Sequence, residues 1–461
     1  MEQLVIPSFS LSSGETVRET TAFYNGDRCL LFEKTSGHIL CTDRTVFEAF
    51  VAHEISSGLS RKLKSHCFIQ QKTTRCDSNA CPIKPEFFMV DLTNRCNMQC
   101  KYCLRDVNHE TQSASPKTIA DICTYINEYS AVYHPKNISV QPWGGEPLLE
   151  LDQILTMRRL INPSGTKVHF SIETNGLLLN DEVLKKLYDA RIGLGVSIDG
   201  YTAIHDGQRI SASGMGTHQI VESHLKKAIK LFGDRVGTIT TVTKRSAPHI
   251  EYILDYLVQE IGLKHVKFNF VHPSLFFDCD DICVDDELIA ETILHLLRRL
   301  VELIEKGYKI EEHNISVKLR NIITNQFTDI CHSRGCNGGR RMIVFDRNGN
   351  IYPCEMTDMP EEKLGCIYDS GDLTELVTLS VAKHDFFCAK KEEICDTCEW
   401  YVFCRGGCTV RTISCGKRPP MIDHIECAVN RSLYPALMEL ILKKPDVVNK
   451  MLGCDLLEIE N

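Results

Sequence analysis

"EFFMVDLTNRCNMQCKYC", residues 86–103, runs from a strand-like segment straight into three cysteines. Residues 86–93 read as a strand. Cys96, Cys100 and Cys103 then follow in the pattern C-x3-C-x2-C. Three thiolates are one short of a closed four-coordinate metal site. An open coordination position implies chemistry rather than a purely structural role. The next residues, LRDVN, offer no fourth Cys or His.

Working outward, strand-like runs recur at 137–143, 167–174, 192–199, 236–243 and 265–271, with helical patterns between them. The clearest helix begins "SASPKTIADICTYINEY", with Ser115 placed to cap and Pro116 in the first turn. Strand–helix alternation predicts a parallel sheet, open or closed into a barrel. In such barrels the C-terminal strand ends face the active site. Three of those ends carry short polar motifs: "WGGEP" (143–147), "ETNG" (173–176) and "SIDG" (197–200). Gly144 and Gly145 let the backbone approach a ligand closely, and Glu146 can accept from a cation.

The chain has 461 residues, 25% of them charged, and a net charge of −9. That length allows more than one domain. The acidic balance argues against a nucleic-acid partner, which would want a basic face. The start, MEQLVIPSFS, lacks the basic-then-apolar pattern of a signal peptide, and no apolar run reaches the ~18 residues of a membrane span. A cytoplasmic protein without a membrane partner is expected. The 23 cysteines are then better read as metal ligands than as disulfides.

Residues 1–85 read as a small separate module: two strands within 28–43, a helix over 44–58, and a turn-rich linker at 70–85. Residues 86–275 hold the alternating core. A helical bridge spans 276–330, with an amphipathic helix at 284–308. Residues 331–430 are loop-rich and cysteine-dense, and a C-terminal helix is expected at roughly 430–452 within 431–461.

The three-cysteine motif, with Tyr102 before its third cysteine, resembles the signature of radical S-adenosylmethionine (SAM) enzymes. The resemblance implies a partial (β/α)6 TIM-type barrel. It implies that the amino and carboxylate groups of S-adenosylmethionine supply the fourth ligand of a [4Fe–4S] cluster. One-electron cleavage then gives methionine and a 5′-deoxyadenosyl radical that abstracts hydrogen. By the same resemblance Gly144, Gly145 and Glu146 contact the methionine amino group. Ser197 and Arg209 bind the cofactor carboxylate and ribose, and backbone at Phe270 or Val271 touches the adenine.

The C-terminal cysteines and "NGNIYPC" (348–354) resemble the SPASM domain of peptide-modifying members of that family. The resemblance assigns Cys331, Cys336, Cys354 and Cys408 to a first auxiliary cluster. It assigns Cys395, Cys398, Cys404 and Cys427 to a second, making three [4Fe–4S] clusters. The pairs Cys76/Cys81 and Cys279/Cys283 are read as free thiols, a further ligand set being the other reading. Glu355 stands where sulfatase-maturing relatives carry an Asp that accepts a proton.

Peptide maturases of this family carry an N-terminal domain that binds a precursor's leader as an added strand, and residues 1–85 resemble it. The expected activity is cross-linking of a ribosomally made precursor peptide, with a thioether as the leading product. A ferredoxin or flavodoxin is the expected electron donor. The alternatives are sulfatase-type oxidation of Cys or Ser to formylglycine, and a non-catalytic zinc or iron–sulfur scaffold.

Overall fold

The computed structural model describes residues 1–69, 83–105, 112–274, 277–332, 335–355, 362–369, 371, 373–375, 378, 392–408, 411 and 422–453. The linker expected at 70–85 and the pair Cys76/Cys81 lie largely or wholly outside them.

Six strands run parallel: β1 (Phe87–Thr93), β2 (Asn137–Gly144), β3 (Lys167–Thr174), β4 (Ile192–Ser197), β5 (Val236–Val242) and β6 (His265–Phe270). Their order in the sheet follows the chain. Each crossover therefore adds the next strand on the same side, as in a partial TIM-type barrel. Alternate residues of β1 separate two environments. Phe88, Val90 and Leu92 join the main core, while Met89 packs with Met342, Val344 and Tyr352. The helix Pro116–Tyr133 starts as its sequence requires: Ser115 Oγ accepts from Thr118 N at 3.0 Å, and Pro116 occupies the first turn.

The sheet extends beyond the six expected strands. Glu311–Glu312 pairs with β6. Met342–Phe345 pairs in parallel with β1, and its partners Asn350–Tyr352 and Gly365–Cys366 continue outward in antiparallel fashion. The cysteine-dense region is thus joined to the core by a strand ladder across residue 331.

Four antiparallel strands at the N-terminus, Glu2–Ile6, Thr20–Asn25, Arg28–Glu33 and His38–Asp43, form a second sheet. The expected helix at 44–58 is two helices, Arg44–Val51 and Ser57–Ser65. His53 sits at φ 62°, which ends the first, and Ser56 caps the second. One face of the sheet packs on these helices through Cys29, Leu31 and Leu40. The other face, Phe23, Leu30, Phe32 and Ile39, belongs to the main core. There Phe23 and Phe32 stack on Trp400 at 6.3 and 5.6 Å. The sheet is therefore not a free-standing unit but shares its core with the cysteine-dense region.

The amphipathic helix is Asp286–Glu305, capped by Asp285. The single C-terminal helix expected at 430–452 is instead His424–Lys443 followed by Pro445–Leu452, because Pro445 cannot continue the first. No helix among the described residues is long and apolar enough to cross a membrane.

Candidate active site

The loop after β1 is clamped from two directions. Met98–Cys100 pairs antiparallel with Arg209–Ser211, which sets Cys100 opposite Arg209. The Arg209 guanidinium lies over the Tyr102 ring at 5.3 Å, and its Nη1 reaches Cys100 Sγ at 3.8 Å. Its Nε stands 3.1 Å from Asp199 Oδ2, which also accepts from Tyr102 Oη at 2.5 Å. Asp199 is fully buried, so this carboxylate ties Tyr102 and Arg209 together beneath the cysteines. Gln208 Nε2 adds a third donor to it at 3.3 Å.

On the other side Met98 N donates to Cys96 Sγ at 3.4 Å. Asn175 Nδ2 reaches the same sulfur at 3.8 Å and donates to Asn97 Oδ1 at 2.7 Å. Burial pushes the Cys96 thiol up to about 11 and the Cys100 thiol up to about 12. Loading iron there would release these protons.

Glu146 is buried and held by three donors: Thr174 Oγ1 at 2.7 Å, Asn175 N at 2.8 Å and Leu148 N at 3.0 Å. It locks the end of β2 to the end of β3. Gly144 and Gly145 serve a contact that the sequence does not reveal. A Cβ at Gly144 would collide with the Thr93 carbonyl oxygen, and one at Gly145 with the Arg95 carbonyl oxygen. The bonds Gly145 N to Thr93 O (2.7 Å) and Glu146 N to Arg95 O (2.9 Å) use that close approach. The glycines thus seat the β2 end against the chain that leads into Cys96.

Ser197 ends β4, while Phe270 ends β6 opposite Val242 of β5. Val271 is buried, with its N–H on Val242 O at 2.9 Å. Asp91 of β1 lies opposite Trp143 of β2. Asp91 is ion-paired with Arg105 at 3.0 Å and with Arg347 from beyond residue 331.

Two cavities hold the other cysteines. Cys331, Cys336, Cys354 and Cys408 line the first, of about 200 Å³, together with Lys267, His272 and Glu355. Cys395, Cys398, Cys404 and Cys427 line a smaller one, beside Trp400 and Tyr401. Cys404 and Asn430 border both. Among the described residues no three His, Cys, Asp or Glu side chains converge to hold a single metal ion. The cysteines beyond residue 330 named above line the two cavities; in a multi-iron cluster each thiolate bonds a different iron. Cys354 Sγ stands 3.0 Å from Glu355 Oε2, and the half-buried Glu355 lines this cavity. Cys279 and Cys283 flank a single helical turn.

Asn175, Asp199 and Gln208 are site residues that the sequence reading did not single out. Asn175 and Asp199 stand inside the quoted motifs "ETNG" and "SIDG", so the motifs marked the place but not the contacts.

Comparison with known proteins agrees with this geometry. Residues 90–257 match the model of the Radical SAM superfamily. The chain is 24% identical over 335 residues to a cysteine-type anaerobic sulfatase-maturating enzyme of Clostridium novyi (strain NT), covering 68% of this chain and 85% of that protein. Its fold is similar to native anSMEcpe with bound AdoMet and Cp18Cys peptide, with a TM-score of 0.66 and 21% identity over 77% of this chain and 99% of that one. It is also similar to Streptococcus suis SuiB bound to the precursor peptide SuiA, with a TM-score of 0.54 and 14% identity over 88% of this chain and 99% of that one. Residues 90–257 thus form a domain similar to the Radical SAM superfamily, and with relatives that are maturating enzymes the chain is an enzyme.

Proposed function

We propose that this enzyme is a peptide maturase that cross-links a ribosomally made precursor, forming a thioether. Cys96, Cys100 and Cys103 would hold a [4Fe–4S] cluster with S-adenosylmethionine as its fourth ligand, which would supply one-electron cleavage of the sulfonium bond and a hydrogen-abstracting 5′-deoxyadenosyl radical. Arg209 and Tyr102 orient the cysteine loop through Asp199, and Gly144, Gly145 and Glu146 fix the facing strand end. Ser197, Arg209 and backbone at Val271 are the proposed cofactor contacts. Eight further cysteines would hold two auxiliary clusters in the two cavities; seven of them line one cavity each, in the groups assigned, and Cys404 borders both, which supports this assignment.

Thioether formation takes a hydrogen atom, a thiol proton and an electron from the peptide; the hydrogen atom would go to the 5′-deoxyadenosyl radical and the electron to an auxiliary cluster. Glu355 is the chain's own carboxylate placed at the first cavity to take the proton. A ferredoxin or flavodoxin is the proposed donor of electrons.

The observation that carries the choice of substrate is the N-terminal sheet. The structure of SuiB bound to the precursor peptide SuiA covers 88% of this chain, whereas anSMEcpe covers 77%. The sheet packs on Trp400, next to the second cavity. A leader bound there as an added strand would hold its core segment near the barrel. A second reading, sulfatase-type formylglycine formation, is favoured by the relatives' names and by the carboxylate after Cys354.

Anaerobic incubation of the reconstituted enzyme with Cys-containing leader peptides and with sulfatase-derived peptides tests the choice. Cross-linked product resistant to thiol alkylation supports the proposal. An aldehyde trapped by hydrazide, from the sulfatase peptide alone, would replace it with the second reading.

A further inference from the structure

A buried charge pair lines the first cysteine-lined cavity together with Cys404 and Asn430, which also border the second. Lys318, on the helix His313–Thr324, has a side chain only 3% exposed. It is ion-paired with Glu426, and its Nζ donates to Asn430 Oδ1 at 2.8 Å. Lys318 and Glu426 both line the first cavity. Asn430 borders both cavities. Glu426 precedes Cys427 of the second cavity, and its Oε1 stands 3.8 Å from Nδ1 of His332, the residue after Cys331 of the first.

Burying an ammonium and a carboxylate costs more than burying apolar groups of the same size, so such a pair adds little stability of its own. Its electrostatic reach is another matter. A cubane on four thiolates is anionic, and more so when reduced. Nearby buried charge therefore acts strongly on the balance between the two states. An unopposed Glu426 carboxylate would disfavour the added electron in both cavities at once.

We propose that Lys318 is a positioning residue for electron transfer: its ammonium cancels Glu426 and so sets the reduction potentials of both auxiliary clusters together. This rests on the reading that the two cavities hold clusters. Arg411 does not duplicate the role. It is paired with its own carboxylate, Asp423, at 3.0 Å.

The test is an EPR-monitored potentiometric titration of the full chain, reconstituted anaerobically and reduced stepwise with dithionite. Iron content of the wild type comes first. A chain that never exceeds the iron of a single cluster would overturn the cluster reading, and this proposal with it. With iron near twelve per chain (about four for each of three clusters), K318M is expected to lower both auxiliary midpoints. E426Q is expected to raise both, while K318R and the double variant K318M/E426Q stay near wild type. The double variant leaves no lone buried charge, so it also guards against failure of K318M to fold. Unchanged midpoints in E426Q and K318M at full iron loading would overturn the proposal, as would a shift confined to one cluster. A merely structural role would alter iron content or melting temperature without this opposed pair of shifts.

Discussion

Asp199 shows how one buried group can organise a reactive loop. It receives Tyr102, Arg209 and Gln208, with no exposure to dilute the interaction. Asp199→Asn leaves Arg209 buried without its counter-charge. We expect a loss of about 3–5 kcal/mol, read as a fall in denaturation midpoint. Tyr102→Phe should cost less, about 1–3 kcal/mol, since it removes one hydrogen bond from a carboxylate that keeps its cation. Asn175→Ala should leave the fold intact yet reduce iron retention at the three-cysteine loop by about ten- to a hundredfold, measured by chelator competition, because it frees Cys96 and Asn97. His205 gives a pH signature. Burial pushes its pKa from 6.5 down to about 3. Its Nδ1 accepts from Asp199 N at 3.3 Å, and its Nε2 faces Thr217 Oγ1 at 3.0 Å. The folded pKa lies below the unfolded one, so the contribution is complete above pH 6.5 and is lost as pH falls toward 3. Unfolding titrations of wild type and His205→Asn should diverge in slope across that window; parallel slopes would contradict the assignment.

At the scale of elements, the six core strands were legible because each is a compact β-prone run bounded by turn residues. The strand Met342–Phe345 was not, although "NGGRRMIVFD" was in plain view. Its partner β1 lies more than two hundred residues earlier in the chain, and no local pattern encodes such a pairing. Glu2–Ile6 was missed for another reason: four of its five residues are exposed, so it carries no alternation to read. The twin glycines were read as making room for a ligand. The structure adds that they make room for Thr93 and Arg95, a contact visible only once two strand ends are set side by side. Packing of the N-terminal sheet was equally hidden, since Phe32 looks like any strand phenylalanine. It is fully buried between Trp400 at 5.6 Å and Phe403 at 5.8 Å. Phe32→Ala should cost about 3–5 kcal/mol and should increase proteolysis within both the N-terminal sheet and the 392–408 segment. Cleavage confined to the sheet would contradict a shared core.

Taken as a whole, the molecule sets three groups of cysteines around one barrel and joins them by ladders and buried ion pairs rather than by linkers. Asp91 ties Arg105, beside the first group, to Arg347, beside the strand that leads to Cys354. The C-x3-C-x2-C spacing and the strand-end motifs made the radical chemistry readable from the sequence. The grouping of eight further cysteines came from family resemblance, because Cys408 lines the first cavity while standing in the chain between cysteines of the second, and spacing alone could not assign it. The central claim is that the three-cysteine loop generates a radical from S-adenosylmethionine. The most direct measurement is anaerobic: load the full chain with iron and sulfide, add dithionite, S-adenosylmethionine and candidate peptides, and assay 5′-deoxyadenosine by mass spectrometry, alongside the chain with Cys96, Cys100 and Cys103 changed to Ala. The account predicts 5′-deoxyadenosine from the wild type and none from the variant. Equal yields from the two, or no product from an iron-replete wild type with any peptide, would contradict it.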